Sequence, residues 1–288
     1  MRAILAPALL AVAVCLAPGR PAAAHDAVPE QIAALSSRIA AEPTRADLYV
    51  QRSDLYRAAG DFTKARRDLD RASALAPGLF AAQFAYARLA LETHQPAEAI
   101  VAASAFLSRE PRHVPALLVR ARAHRLLGQR AQAVADFSRA IELAPLPDLV
   151  IERARVLQAS PARLDEALDG IDDGIRRLGA VVTLELEAIE IERRLRRFDA
   201  ALARVEIVAA RSPRKEQWLA RRAALLEDAG RATDALEAYR LAHATAESLP
   251  PHVRSSRATA TLVSEIQHHI DRLTAAARTA RAGRSISR

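Results

Sequence analysis

The stretch ADLYVQRSDLYRAAGDFTKARRDLDRASALAP, residues 46–77, decides the fold. Apolar residues fall at helical spacing before Gly60 and again after it. Gly60-Asp61 interrupts the run, as a glycine does at a helix C-terminus. Pro77 ends the second run, because proline cannot continue an interior helical hydrogen-bond ladder. The unit is therefore helix, tight turn, helix, stop. Ala65 is small where two antiparallel helices approach, Leu69 fills the space one turn later, and Ala72 lets the next unit dock.

The unit recurs. An alanine returns every 34 residues, as Ala65, Ala99, Ala133, Ala167, Ala201 and Ala235. The stops follow as Pro43, Pro77, Pro111, Pro145, then Gly179 out of pattern, then Pro213. Repeat three reads Gly128, Ala133, Phe137, Ala140, Pro145, and repeat six reads Gly230, Ala235, Tyr239, Ala242. Repeat five has Ala201, Val205, Val208 and Pro213, with Arg196 at the turn-glycine position. Repeat two has His94 there, followed by Pro96. Repeat four has Ser160-Pro161 instead, and its Arg153-Ala154-Arg155 matches Arg120-Ala121-Arg122 at a spacing of 33, which predicts a first helix shifted by one residue and a longer turn. A fixed period in this range means stacked supersecondary units rather than one central core.

Glycine, alanine, a large apolar residue and proline on a 34-residue helix–turn–helix resemble the tetratricopeptide repeat family. The resemblance covers residues 46–249 as six units. It implies an all-α solenoid that binds a protein or peptide partner, with first helices lining a concave surface. Carried over by register, the groove-facing residues are Phe84 and Arg88 in repeat two, Leu118, Arg122 and Arg125 in repeat three, and Ile151 and Arg155 in repeat four. Arg88, Arg122 and Arg155 would form a ladder of planar, bidentate donors suited to the carboxylates of an acidic partner. Asp54 and Glu190 hold the same register on either side. A competing reading is therefore that the ladder is neutralised internally.

Composition agrees with helical packing: 51% of the residues are hydrophobic and only 4% aromatic, with alanine making up much of the difference. Residues 1–24 read as a secretory signal, with Arg2, an apolar run from Ile4 to Leu16, and Ala22-Ala23-Ala24 before a cleavage expected at His25. The protein is then expected to be periplasmic or secreted. Cys15, the single cysteine, lies inside that signal; lipidation there is the alternative, and Val14 before it argues against it. Residues 25–45 are expected to form an N-terminal capping helix, with Leu35 and Pro43 in register with Leu69 and Pro77. Residues 250–280 are expected to form a C-terminal capping helix on the stripe Leu262, Ile266, Ile270, Leu273 and Ala277. Residues 281–288 are expected to be a disordered basic tail.

Residues 253–288 carry seven arginines against Glu265 and Asp271, five of the chain's eight net positive charges. The repeat body is close to neutral. That distribution, with few aromatics, argues against nucleic acid as a partner. It leaves a second function open, tethering to an anionic surface or polymer through the tail, with peripheral membrane contact. Arg52 with Asp68, and Arg120 with Asp136, recur in one register and are expected to be ion pairs within repeats. The sequence carries no glycine-rich phosphate loop, cysteine nucleophile or HExxH zinc helix, and His268-His269 point about 100° apart on a helix. No metal, cofactor or enzymatic activity is expected, and the chain is expected to act as a monomer.

Overall fold

The computed structural model describes residues 23–286, with side chains from 28 to 279. The expected signal region up to residue 22, Cys15 and the side chains of the basic tail lie outside the described residues. What is described is all helix and turn, with no strand.

The described residues divide into two compact units, split between Thr93 and His94. Within the first, α1 (Ala23–Ala41) packs on α2 (Ala46–Ala58), which pairs with α3 (Phe62–Leu75), and α4 (Phe80–Glu92) packs on both α2 and α3. Leu35 and Ile39 of α1 are buried in that core beside Leu48 and Leu69, so α1 caps the first repeat. Within the second unit α5 (Pro96–Leu107) opens a run of pairs: α6 (Val114–Leu126) with α7 (Arg130–Leu143), α8 (Pro147–Gln158) with α9 (Leu164–Leu178), α10 (Val182–Arg194) with α11 (Phe198–Arg211), and α12 (Glu216–Asp228) with α13 (Ala232–Glu247). A short α14 (Pro251–Arg254) leads into α15 (Arg257–Ile286), which packs on α13.

The recurring alanines explain the pairing. All six are at most 1% exposed. In the five hairpins that lie within one unit, a larger side chain there would hold the two helices apart. Leu69, Phe137, Ile171, Val205 and Tyr239, each one turn on, fill the space between them. The turns also follow from local chemistry. Gly60, Gly128 and Gly230 take φ of 78°, 71° and 76°, and His94 and Arg196, at the same position in repeats two and five, are held at 57° and 59°. Before Pro77 and Pro145, Ala76 and Ala144 turn out of the helix to φ of −142° and −145°, because a proline ring excludes the α conformation from its predecessor. Repeat four ends instead at Gly179, with φ of 85°. The extra residue in its hairpin is taken up by a 3-10 turn over Pro161–Arg163.

Two differences from the sequence reading concern the C-terminal end. The capping segment is two helices rather than one, broken at Ser255-Ser256. And α15 continues through Ile286, so positions 281–286 are helical where a disordered tail was expected. Ile266 and Leu273 bury the stripe against α13, with Leu262 and Ile270 beside them. The last side chains described, residues 275–279, are exposed.

The expected ion pairs within repeats are present. Arg52 donates to both oxygens of Asp68 at 2.7 and 2.8 Å and to Ser36 Oγ at 2.9 Å. Arg120 does the same with Asp136 at 2.8 and 2.6 Å and with Ser104 Oγ at 3.3 Å. Each arginine thus ties its own second helix to the preceding one. The carboxylate bonds hold both guanidinium groups above their ordinary pKa, against the opposing effect of burial.

Candidate protein-binding site

In the second unit the first helices of consecutive repeats carry a row of polar side chains. Arg122 on α6 grips Glu152 on α8 with two bonds, 3.0 and 2.6 Å. Arg155 on α8 meets Glu187 on α10 at 3.3 Å, and Gln158 donates to the same carboxylate at 2.7 Å. Arg194 returns from α10 to the side-chain oxygen and the carbonyl of Gln158, both at 3.0 Å. Arg193 lies 3.4 Å from Asp228 on α12. The side chains of Arg122 and Arg155 remain 40% and 63% exposed, so the row faces solvent although it is paired. The bond to Glu152 raises the Arg122 pKa, again against burial.

In the first unit Arg88 lies 3.2 Å from Asp54 and rests on the ring of Phe84, 5.6 Å from its centre. Asp54 also faces Arg57 at 3.6 Å, and Arg57 reaches Glu92 at 2.5 Å. Burial pushes the Tyr86 phenol up to about 12, helped by its bond to Asp70.

The sequence-derived residues therefore fall into three groups. Arg88, Arg122 and Arg155 are on exposed or half-exposed helix faces, each with a carboxylate partner, and the half-buried Phe84 ring lies against Arg88. Arg125 is exposed and makes no ion pair among the described residues. Leu118 and Ile151 differ from their assignment as contact residues: Ile151 is 8% exposed inside the core of the second unit, and Leu118 packs against that core. The reason is that a first helix is flanked by neighbours on several sides; α8 packs on α7, α9 and α10, so Leu149, Val150 and Ile151 are buried in succession. Of the two neutralising carboxylates read from register, Asp54 meets Arg88, whereas Glu190 lies 3.6 Å from Arg193 on its own helix. Glu152 and Glu187 take the role beside Arg122 and Arg155. Their offsets of 30 and 32 residues from those arginines are the signal in the sequence.

No histidine, cysteine, aspartate and glutamate grouping able to hold a metal occurs among the described residues. A face of aligned first helices with polar side chains, on hairpins locked by small anchors, defines an α-helical repeat protein of the scaffold class. The tetratricopeptide repeat model matches residues 46–78 and 114–145, the hairpins of repeats one and three. Those two hairpins are tetratricopeptide repeats, and the chain around them has the fold of that repeat class. Among solved structures, a tetratricopeptide repeat protein from Parabacteroides merdae is 16% identical, with a TM-score of 0.52 over 85% of this chain and 94% of that one. PilW, a type IV pilus biogenesis factor, is 19% identical, with a TM-score of 0.54 over 65% of this chain and 87% of its own. YrrB, described as a repeat protein with an unusual peptide-binding site, is 17% identical, with a TM-score of 0.51 over 60% and 89%. These likenesses are in fold. No curated protein matches the chain in sequence.

Proposed function

We propose that this chain is an exported interaction scaffold that holds an extended, acidic segment of an envelope protein along the first helices of repeats three to five. Tetratricopeptide-repeat proteins are protein-binding scaffolds, and the fold neighbours include one described by its peptide-binding site. The observation that carries the reading is the solvent-facing row of Arg122, Arg155 and Arg194, to which Arg125 adds a cation without an ion-pair partner among the described residues. A partner carboxylate would engage Arg125 directly and exchange with Glu152 or Glu187 at the other rungs. Apolar contact would come from exposed Leu126 and Leu127, at the end of α6, rather than from the buried Ile151.

Export rests on the sequence of residues 1–24 and predicts a mature protein beginning at His25. N-terminal sequencing of the protein from an envelope fraction tests it: an intact Met1 on stable cytoplasmic protein overturns the localisation, and an acylated Cys15 overturns the cleavage site.

The binding test pairs Arg122→Ala with Arg125→Ala. Charge-assisted hydrogen bonds contribute roughly 1.5–3 kcal/mol each when shielded from water. Because Arg122 is already paired, most of the loss should come from Arg125, and affinity for a partner captured from envelope extract should fall at least about tenfold. An unchanged affinity with an unchanged melting temperature would reject the row as the binding surface. Deleting residues 281–288 separates this reading from tail tethering: groove binding survives the deletion and surface tethering does not.

A further inference from the structure

A polar contact recurs in one register, joining a second helix, the next first helix and that repeat's own second helix. Repeat one places Ser36, Arg52 and Asp68 there, and repeat three places Ser104, Arg120 and Asp136. Repeat five inverts the charges: Arg204 stands at the aspartate position and binds Asp172 at 2.6 Å, Glu185 at 3.1 Å and Glu192 at 2.8 Å. Repeat six sets Arg222 against Glu206 at 3.7 Å. In repeat four the serine and the arginine are retained as Ser138 and Arg153, but Gly170 stands where Asp136 does in repeat three.

The missing carboxylate leaves Arg153 incompletely used. Its Nε donates to Ser138 Oγ at 2.8 Å. Its Nη2 is 3.6 Å from Glu166, a carboxylate already held by two bonds from Arg163. Its Nη1 lies over Gly170, where a Cβ would collide with it, and has no acceptor among the described residues. The side chain is 21% exposed, and the exposed part opens on a cavity of about 340 Å³. That is at the small end of small-molecule sites, which run from about 300 to 1,000 Å³. Ile141, Pro145, Val150 and Leu178 give the cavity an apolar side. Glu142 is paired with Arg139, and Asp173 with Arg176 and Arg177. Asp169, next to Gly170 on α9, lines the same cavity with no ion pair or hydrogen bond from its side chain among the described residues.

One cavity thus holds an underused guanidinium, a free carboxylate and an apolar wall. We infer that it binds a small apolar α-amino acid as the zwitterion: carboxylate on Arg153, ammonium on Asp169, side chain against Ile141, Val150 and Leu178. The site lies on α7, α8 and α9, apart from the row proposed to hold a protein partner, and stands whether or not that proposal does.

The test is calorimetric titration of the mature chain with L-leucine and L-valine, and with leucinamide and N-acetyl-leucine, which lack the carboxylate charge and the ammonium respectively. At least one free amino acid should bind, and each blocked form should bind at least about tenfold more weakly. Gly170→Asp restores the repeat-three arrangement inside the protein and should abolish binding without lowering the melting temperature. Arg153→Gln, a second variant that leaves the backbone alone, should weaken it at least about tenfold. Absence of binding by both amino acids, equal binding of leucinamide, or full binding by folded Gly170→Asp would each overturn the assignment.

Discussion

Repeats three and four differ in how they hold their arginine. Arg120 is closed by Asp136 and Ser104, so the polar contact between its helices is complete. Arg153, in the same register, keeps only the serine as a close partner and faces a cavity. The hairpins are otherwise built alike: Ala133 and Ala167 are both fully buried, as are Phe137 and Ile171. The helical frame therefore does not need the carboxylate. Its loss in repeat four frees space and charge without removing the anchor that packs the hairpin.

The sharpest test of that difference removes a carboxylate from each repeat. Asp136→Ala strands a mostly buried arginine and should cost about 2–4 kcal/mol in a denaturant melt. Glu166→Ala, which takes away a distant partner of Arg153 and the half-exposed pair with Arg163, should stay within about 1 kcal/mol. Equal losses would erase the contrast.

The shared anchor is tested next. Ala133→Leu and Ala167→Leu should each overpack a hairpin and cost about 1–3 kcal/mol. If only the second is tolerated, repeat four is slack in its core as well as in its polar contact.

Within repeat four the two glycines of α9 should part company. A Cβ at Gly174 would lie 2.9 Å from Val150 Cγ1, and Val150 is a stiff buried side chain. Gly174→Ala should therefore destabilise by about 1 kcal/mol even after the gain in helix propensity. Gly170→Ala meets only the flexible end of Arg153 and should stabilise by about 0.5–1 kcal/mol. Thermal melts of the two variants moving in opposite directions would confirm it.

The turns give the last contrast, and its second member has the smallest expected effect. Gly128 takes φ of 71°, so Gly128→Ala should cost about 1 kcal/mol. Ser160, at the turn of repeat four, has an extended φ of −123° and no side-chain capping bond, so Ser160→Ala should stay within about 0.5 kcal/mol. A chemical denaturation series resolves both.

The frame was legible because each repeat writes the same spatial problem into small residues at fixed spacing. Ala65 and its successors need to be small wherever two helices touch, and the turn position needs a left-handed residue whether it is Gly60 or Arg196. The shift of repeat four was legible too, from the 33-residue offset of Arg153-Ala154-Arg155, and the structure spends the extra residue in the turn at Pro161–Arg163. The site was harder to read. Register placed Arg88, Arg122 and Arg155 on first helices and gave Asp54, which meets Arg88, but did not identify the partners of the other two, because long side chains choose among several carboxylates within reach. Glu187 rather than Glu190 meets Arg155 for that reason. Ile151 was assigned to the surface because a helical wheel shows one helix at a time, whereas its burial comes from the helices packed around α8. The glycine at position 170 carried a signal that emerges only when Asp136 and Gly170 are compared across one period.

The rung between Arg122 and Glu152 has one further consequence. An incoming carboxylate there does not meet an empty cation; it trades places with a resident anion. One contact is made for one broken, and salt weakens both sides of the trade alike. Such a rung adds little to the strength of a complex and little to its sensitivity to ionic strength. It penalises any partner that arrives without an acceptor of its own, because that partner must either leave the pair intact beneath it or bury it unsatisfied. On the function proposed above, the row would work as a filter, sorting partners by whether they bring negative charge at the spacing of successive first helices.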